Sequence, residues 1–212
     1  MHLLLEGHVE MSDGARGTLA DVVIDPVKKT VTHVVVRAGD PDPTARLVPL
    51  GLASTDASGT CTLACTAAEF EQFEAIQGYA YLPVDERPAP DADWDVGVED
   101  VVMMPSYQGA DLGVYTAEID PNVGVTYDRV PKGEVEIRRS SVVESSDGHE
   151  LGSVHAFVLD GGAITEIVFD HGHLWRHRTT TVPIGSVAAL QTNAIGLALT
   201  KDEFGKLPSE KA

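Results

Sequence analysis

The stretch from Asp170 to His177 concentrates the side chains of this chain that could bind a metal ion. It reads Asp-His-Gly-His-Leu-Trp-Arg-His. If the stretch is extended, His171, His173 and His177 lie on one face because side chains alternate along a strand, and the first two are about 6.5–7 Å apart. Two imidazoles at that spacing can bind one metal ion, with Asp170 or His177 completing the ligand set. The competing interpretation, a solvated hairpin loop without a metal, is preferred, so we predict no metal and no cofactor.

Two cysteines, Cys61 and Cys65, raise the question of a redox or metal pair. On a strand they share one face with Leu63, and their Cα atoms are about 13 Å apart, which is too far for a disulfide. A cysteine on an apolar face behaves as a small hydrophobic residue. We therefore predict two buried thiols.

Motifs for enzymatic chemistry are absent from the sequence. There is no Gly-x-Ser-x-Gly elbow and no phosphate-binding glycine loop with a lysine. His149 and Glu150 begin a zinc-protease motif, but Ser153 stands where the second histidine is required. The sequence accordingly predicts no catalytic residue and a protein that is not an enzyme.

An internal repeat supplies the elements that must position these side chains. Ser-Asp-Gly turns at residues 12–14 and 146–148 open two similar series of short, β-branched, alternating segments. Asp-Gly is a strong turn signal. The counterparts follow one another in the same order along the chain: Gly17 and Gly152, residues 31–36 and 164–169, Gly39 and Gly172, residues 47–50 and 181–184, and residues 61–66 and 195–200.

Each repeat ends in a helix signal. Thr66 and Glu69, and Thr200 and Glu203, fit a capping box, with a hydroxyl at the N-cap and a glutamate three residues later. The sequence thus predicts a mainly β protein of two small SH3-like β-barrels, each followed by a short helix. The predicted domains are residues 1–84, an acidic connector at 85–131, and residues 132–212.

The net charge of the chain limits the classes of molecule that it can bind. The chain has 33 acidic and 15 basic residues, for a net charge of −18, and binding to nucleic acid depends on Lys and Arg neutralising phosphates. The basic clusters at 138–139 and 176–178 form either a small positive patch or, as we prefer, a guard against strand pairing at a sheet edge. No apolar run reaches the length of a membrane span, and residues 1–5 do not fit a signal peptide. We expect a cytoplasmic protein that does not bind nucleic acid.

The repeated residues resemble the PRC-barrel family. The resemblance rests on the Asp-Gly turn, the strand Gly-Thr-Leu-Ala-Asp-Val-Val-Ile-Asp at 17–25, the strand Val-Thr-His-Val-Val-Val at 31–36 and Arg-Leu-Val-Pro-Leu at 46–50. The second copy follows the same plan. The resemblance covers roughly 8–84 and 133–208, and it implies small barrels that are used mainly for protein contacts.

The function we expect is therefore a non-enzymatic interaction or scaffold module with a basic protein partner. Two alternatives stay open: a metal-binding protein that uses His171, His173 and His177, and an RNA-processing adaptor that docks a basic protein. Association with further copies of the chain is also open, since strand edges invite pairing.

Overall fold

A computed structural model of the chain describes residues 1–39, 44–56, 59–83, 86–103, 122–172 and 178–211. Strands account for 61% of the described residues and helices for 8%, so the predicted mainly β class is confirmed. Among the described residues, no helix has the length and apolar character needed to cross a membrane.

The elements of the two repeats follow the same order. The first repeat consists of β1 (His2–Leu4), β2 (His8–Met11), β3 (Arg16–Asp25), β4 (Thr30–Ala38), β5 (Thr44–Pro49), a 3-10 turn (Leu50–Leu52), β6 (Ala53–Thr55), β7 (Cys61–Leu63) and α1 (Ala67–Phe70). Three strands follow: β8 (Gln77–Pro83), β9 (Trp94–Met103) and β10 (Asn122–Pro131). The second repeat consists of β11 (Val135–Arg138), β12 (Val142–Glu144), β13 (Glu150–Asp160), β14 (Ala163–His171), β15 (Arg178–Pro183), a 3-10 turn (Ile184–Ser186), β16 (Val187–Gln191), β17 (Ala194–Leu197), α2 (Lys201–Phe204) and β18 (Ser209–Lys211).

The strands of both repeats belong to one hydrogen-bonded sheet. Its order is β16-β17-β12-β13-β14-β4-β3-β2-β7-β6. The order is symmetric: each strand of the second repeat stands as far from one end of the sheet as its equivalent in the first repeat stands from the other end. At its centre, Ala163 of β14 faces Thr30 of β4. Two reciprocal backbone hydrogen bonds flank this point, from Val31 to Gly162 (3.0 Å) and from Ile164 to Lys29 (3.0 Å). The two repeats are thus related by a local pseudo-twofold arrangement.

The opening strand of each repeat pairs with the other repeat. β1 pairs with β13 and not with β3, and β11 pairs with β3. Leu3 on β1 and Ile137 on β11 are fully buried in a single hydrophobic core that contains residues of both repeats. Neither copy therefore completes its core with its own strands.

This exchange corrects the expected architecture. The sheets are not closed barrels, and the strand that opens each repeat forms its hydrogen bonds with the other repeat. The described chain forms two compact units, one of Met1–Ile76 with Gly133–Ala212 and one of Gln77–Lys132. The domain boundaries predicted from the sequence lie after residues 84 and 131, and they stay a prediction.

Both predicted helix starts are confirmed. The Thr66 hydroxyl accepts the N–H of Glu69 (3.3 Å), and the Glu69 carboxylate accepts the N–H of Thr66 (2.8 Å). Thr200 and Glu203 form the same capping box. The aspartate of each Ser-Asp-Gly turn adds a second cap that the sequence analysis did not anticipate: Asp13 accepts the N–H of Ala67 (2.9 Å), and Asp147 that of Lys201 (3.0 Å).

The middle unit is a three-stranded antiparallel sheet. Its order is β8-β10-β9, so β10 is central. The ring of Tyr127 on β10 lies against Gly78 of β8. A Cβ added at Gly78 would be only 2.7 Å from the Cζ atom of this ring. The segment predicted as a connector thus contains regular structure at 94–103 and 122–131.

Candidate functional site

The second repeat brings three polar side chains together from three segments. Arg139 follows β11, His155 lies at an irregularity of β13, and Asp170 lies near the end of β14. Arg139 Nη2 donates to Asp170 Oδ2, and Arg139 Nη1 lies 2.6 Å from His155 Nδ1. We call these residues the Arg139–His155–Asp170 cluster.

Two groups lie close to Nδ1 of His155. A guanidinium only donates hydrogen bonds, so Nδ1 accepts from Arg139 in the tautomer that carries its proton on Nε2. In the other tautomer Nδ1 donates to Asp170 Oδ2, which lies 3.2 Å away. The ring of His155 thus has a partner in either tautomer, and Arg139 contacts both the ring and the carboxylate. Oδ1 of Asp170 is buried without a hydrogen-bond partner among the described residues.

His171 has a packing role at the end of β14. Its Nε2 lies 2.8 Å from the hydroxyl of Thr180, and its ring meets the ring of Phe204 edge-on, with 5.4 Å between the centroids. Burial lowers the pKa of His171, with a smaller contribution from Arg178. His171 thus joins β14, β15 and α2.

An open groove of about 1000 Å³ borders the cluster. Arg139 and Asp170 form one part of its wall, and α2 and the residues after it form another. Leu151 and Phe204 add apolar surface. The charged side chains along the groove are Arg139, Lys201 and Lys206 on the basic side and Glu150, Asp170 and Asp202 on the acidic side.

The first repeat has no such cluster at the equivalent positions. The pairing registers place Leu5 where the second repeat has Arg139, and Ala20 where it has His155. Leu5 and Ala20 are 2% and 7% exposed. The same strand framework is therefore completed by apolar side chains in one copy and by a polar cluster in the other.

The predicted metal-site residues do not converge in the described part of the chain. Asp170 is paired with Arg139, and Nε2 of His171 contacts Thr180. His173 and His177 lie outside the described residues. Within the described ranges there is no group of three or more His, Cys, Asp or Glu side chains that could hold a metal ion.

The other candidate residues, the two cysteines and the basic clusters, have contacts that are typical of structural residues. Cys61 and Cys65 are unpaired thiols in the core, as predicted, and burial raises the pKa of Cys61 to about 11. Such a thiol is a poor nucleophile, because the thiolate is the reactive form. In the basic clusters, Arg138 pairs with the fully buried Glu136 (3.0 Å) and Arg178 contacts Ser209 (3.2 Å).

A second candidate surface lies on the middle unit. Tyr79 and Tyr81 on β8 are 60% and 48% exposed. Because side chains two residues apart share a face of a strand, the two phenol rings lie side by side on one face of β8. We call this pair the tyrosine face. It was missed from the sequence, where residues 77–83 were assigned to the end of the first repeat.

The cluster around Arg139 was also missed, although the repeat contains a signal for it. Within a duplicated core, a position that is leucine or alanine in one copy and arginine or histidine in the other is not dictated by packing alone. No protein-family model and no curated protein sequence matches the chain. The resemblance to PRC barrels stays a prediction from the quoted residues.

Proposed function

We propose that the protein is a non-enzymatic docking module that binds a basic protein partner through the tyrosine face of β8. The observation that carries this proposal is the high exposure of Tyr79 and Tyr81. Tyrosine is enriched at protein interfaces and among the residues that contribute most to binding energy. A pair of exposed rings on a strand offers contact area at low cost in side-chain entropy.

Charge around this unit supports a basic partner. Residues 77–132 contain eleven acidic and three basic residues. Two of the three cations are engaged within the unit: Lys132 pairs with Asp95 (2.8 Å), and Arg129 lies over the ring of Trp94 (5.3 Å). The remaining field is negative, so it attracts a basic surface and repels nucleic acid.

The framework of the proposal is a pair of PRC-like units that have exchanged their opening strands. The repeated order of elements, the repeated capping boxes and the symmetric sheet order support it. A cytoplasmic location is part of the same proposal. The alternative partner for the tyrosine face is a second copy of the chain.

The test begins with a partner captured from the native cell and continues with measured association kinetics. The variant Tyr79→Ser/Tyr81→Ser should weaken binding by about tenfold or more, as loss of central aromatic contacts does. The control is Val27→Ser, which removes another exposed hydrophobic side chain (90% exposed) in the other unit and should leave affinity unchanged. An unaffected tyrosine variant, or an acidic partner, would contradict the proposal.

Charge is tested separately with Asp91→Asn/Asp93→Asn. Both side chains are exposed, and asparagine retains the side-chain oxygen with which Asp91 accepts the N–H of Asp93 (2.9 Å). Asp95 is left unchanged because it pairs with Lys132. We expect a slower association rate and a weaker dependence of that rate on salt, with little change in the dissociation rate. An association rate that ignores salt in the unmodified protein would argue against the proposed partner class.

A further inference from the structure

We propose that the groove beside the Arg139–His155–Asp170 cluster binds a small molecule through its oxyanion group, a carboxylate or a phosphate. The site lies in the second repeat and is independent of the docking proposal for β8.

Arg139 is presented to the groove in a fixed orientation. Asp170 accepts a hydrogen bond from one of its terminal nitrogens, and the other terminal nitrogen contacts Nδ1 of His155. A guanidinium carries more N–H donors than these two contacts use, and the side chain is still 31% exposed and lines the groove. A guanidinium held in place on one side and open on the other suits a planar oxyanion, which it can bind with two parallel hydrogen bonds.

The groove is also electrostatically unlike the rest of the molecule. Three basic side chains line it, against three acidic ones, whereas the chain as a whole carries a charge of −18. Asp170 and Arg139 offset each other, which leaves two lysines and two carboxylates along the groove. Lys201 and Lys206 are exposed on the α2 side, so their ammonium groups can move toward a bound anion. Repulsion of an anion is thus weaker here than over the acidic surface.

The first repeat forms the same strand framework without the cluster. Leu5 and Ala20, at the equivalent positions, are buried apolar side chains. Arg139 and Asp170 are 31% and 13% exposed, and an ion pair that stays partly exposed adds little to stability, so the cluster offers the fold no evident advantage. A ligand that uses the free side of Arg139 gives the cluster a role that packing does not.

The groove also selects the size and character of the ligand. About 1000 Å³ of open space admits a small molecule. Leu151 and Phe204 provide apolar contact beside the charged groups. The ligand chemistry that fits is therefore an oxyanion on a short carbon skeleton, or a phosphate group.

Titration calorimetry on the intact protein with benzoate, acetate and inorganic phosphate as separate probes tests the site. We expect saturable binding at one site for at least one probe. Tighter binding of benzoate than of acetate would identify a carboxylate on an apolar skeleton, and tighter binding of phosphate would identify a phosphate ligand. Arg139→Gln should weaken binding by about tenfold or more, the expected effect of losing a charge-assisted hydrogen bond.

Matched variants separate binding from folding. Arg37→Gln removes the exposed arginine that occupies the position equivalent to Asp170 in the first repeat, and it should not change affinity. Lys201→Ala/Lys206→Ala should weaken binding without lowering the melting temperature. If Arg139→Gln fails to fold, Arg139→Lys is the substitute variant. It keeps the positive charge but loses the paired N–H donors of the guanidinium, so it should still weaken binding. Absence of saturable binding for all three probes, or an equal loss in Arg37→Gln, would overturn the proposal.

Discussion

Thr66 and Thr200 each stabilise the first turn of a helix of only four residues. A helix this short is not stable by propensity alone, so the caps and the burial of Phe70 and Phe204 maintain it. We expect Thr66→Ala and Thr200→Ala each to lower the free energy of unfolding by about 1 kcal/mol. Urea denaturation measures the loss. Threonine-to-serine variants, which keep the hydroxyl, should lose much less, and equal stability of the alanine and serine variants would contradict this account.

The carboxylates at the same helix starts predict acid sensitivity. Asp13, Glu69, Asp147 and Glu203 have pKa values below their ordinary values of 3.8 for Asp and 4.5 for Glu. For Asp13 and the two glutamates the main cause is a hydrogen bond from a backbone N–H, and for Asp147 it is the hydroxyl of Ser145. A carboxylate with a depressed folded-state pKa stabilises the fold above its unfolded pKa, and this contribution is lost as pH falls through the folded value.

We therefore expect the free energy of unfolding to decrease as pH falls below about 4, the ordinary range of carboxyl groups. The variant Asp13→Asn/Asp147→Asn keeps an accepting oxygen at each helix start but cannot titrate. Its unfolding free energy should differ less between pH 7 and pH 3 than that of the unmodified protein. Glu10→Gln, which removes an exposed carboxylate outside the caps, is the control. An unchanged pH dependence in the double variant would show that other groups dominate.

Among the elements, the β13–β14 pair depends on a glycine at one point of close approach. A Cβ on Gly152 would overlap the carbonyl oxygen of Asp170 on the neighbouring strand. Gly152→Ala should therefore displace the strands and lower stability by about 1–3 kcal/mol, as overpacking does. Gly185→Ala is the matched control, since no atom lies within 4 Å of a Cβ there. Thermal unfolding of both variants checks this, and a neutral Gly152→Ala would contradict it.

The sequence predicts local elements well because their signals are local. The capping boxes, the Ser-Asp-Gly turns and the glycines that follow β4 and β14 act within a few residues, and these glycines, Gly39 and Gly172, have matching φ values of 112° and 117°. The strand with which an opening strand pairs cannot be predicted from such local signals. The alternation of His2–Leu4 buries the same side chain whether β1 pairs with β3 or with β13, so the exchange leaves no trace in the pattern.

The candidate site was predicted only in part for a related reason. Asp170 and His171 stood out because they are neighbours in a short, unusual stretch of sequence. Their partners Arg139, His155 and Thr180 come from other segments. Contacts of this kind follow from the register of three strands, which composition and spacing do not specify. Comparing the two repeats position by position is the sequence operation closest to revealing them.

At the scale of the whole molecule, the exchanged strands join the two repeats into one folding unit. One hydrophobic core contains residues of both copies, and Lys29 of the first repeat donates to the carbonyl of Val187 in the second (2.8 Å). Cutting the chain between the repeats would leave β1 and β11 without the strands they pair with. The unit should therefore unfold in one transition, and neither repeat should be a folded monomer by itself.

Separate fragments of residues 1–76 and 133–212 test this directly. We expect each fragment alone to be unfolded or to self-associate, since an equivalent strand from a second copy can take the exchanged position. Mixed together, the fragments should form a 1:1 complex with strand content restored, as measured by circular dichroism and native mass spectrometry. Leu3→Asp, which places a charge at a fully buried position of β1, should prevent this assembly, whereas Glu10→Gln should not. A fragment that is monomeric and unfolds cooperatively would show that the exchange is not needed for the stability of a single repeat.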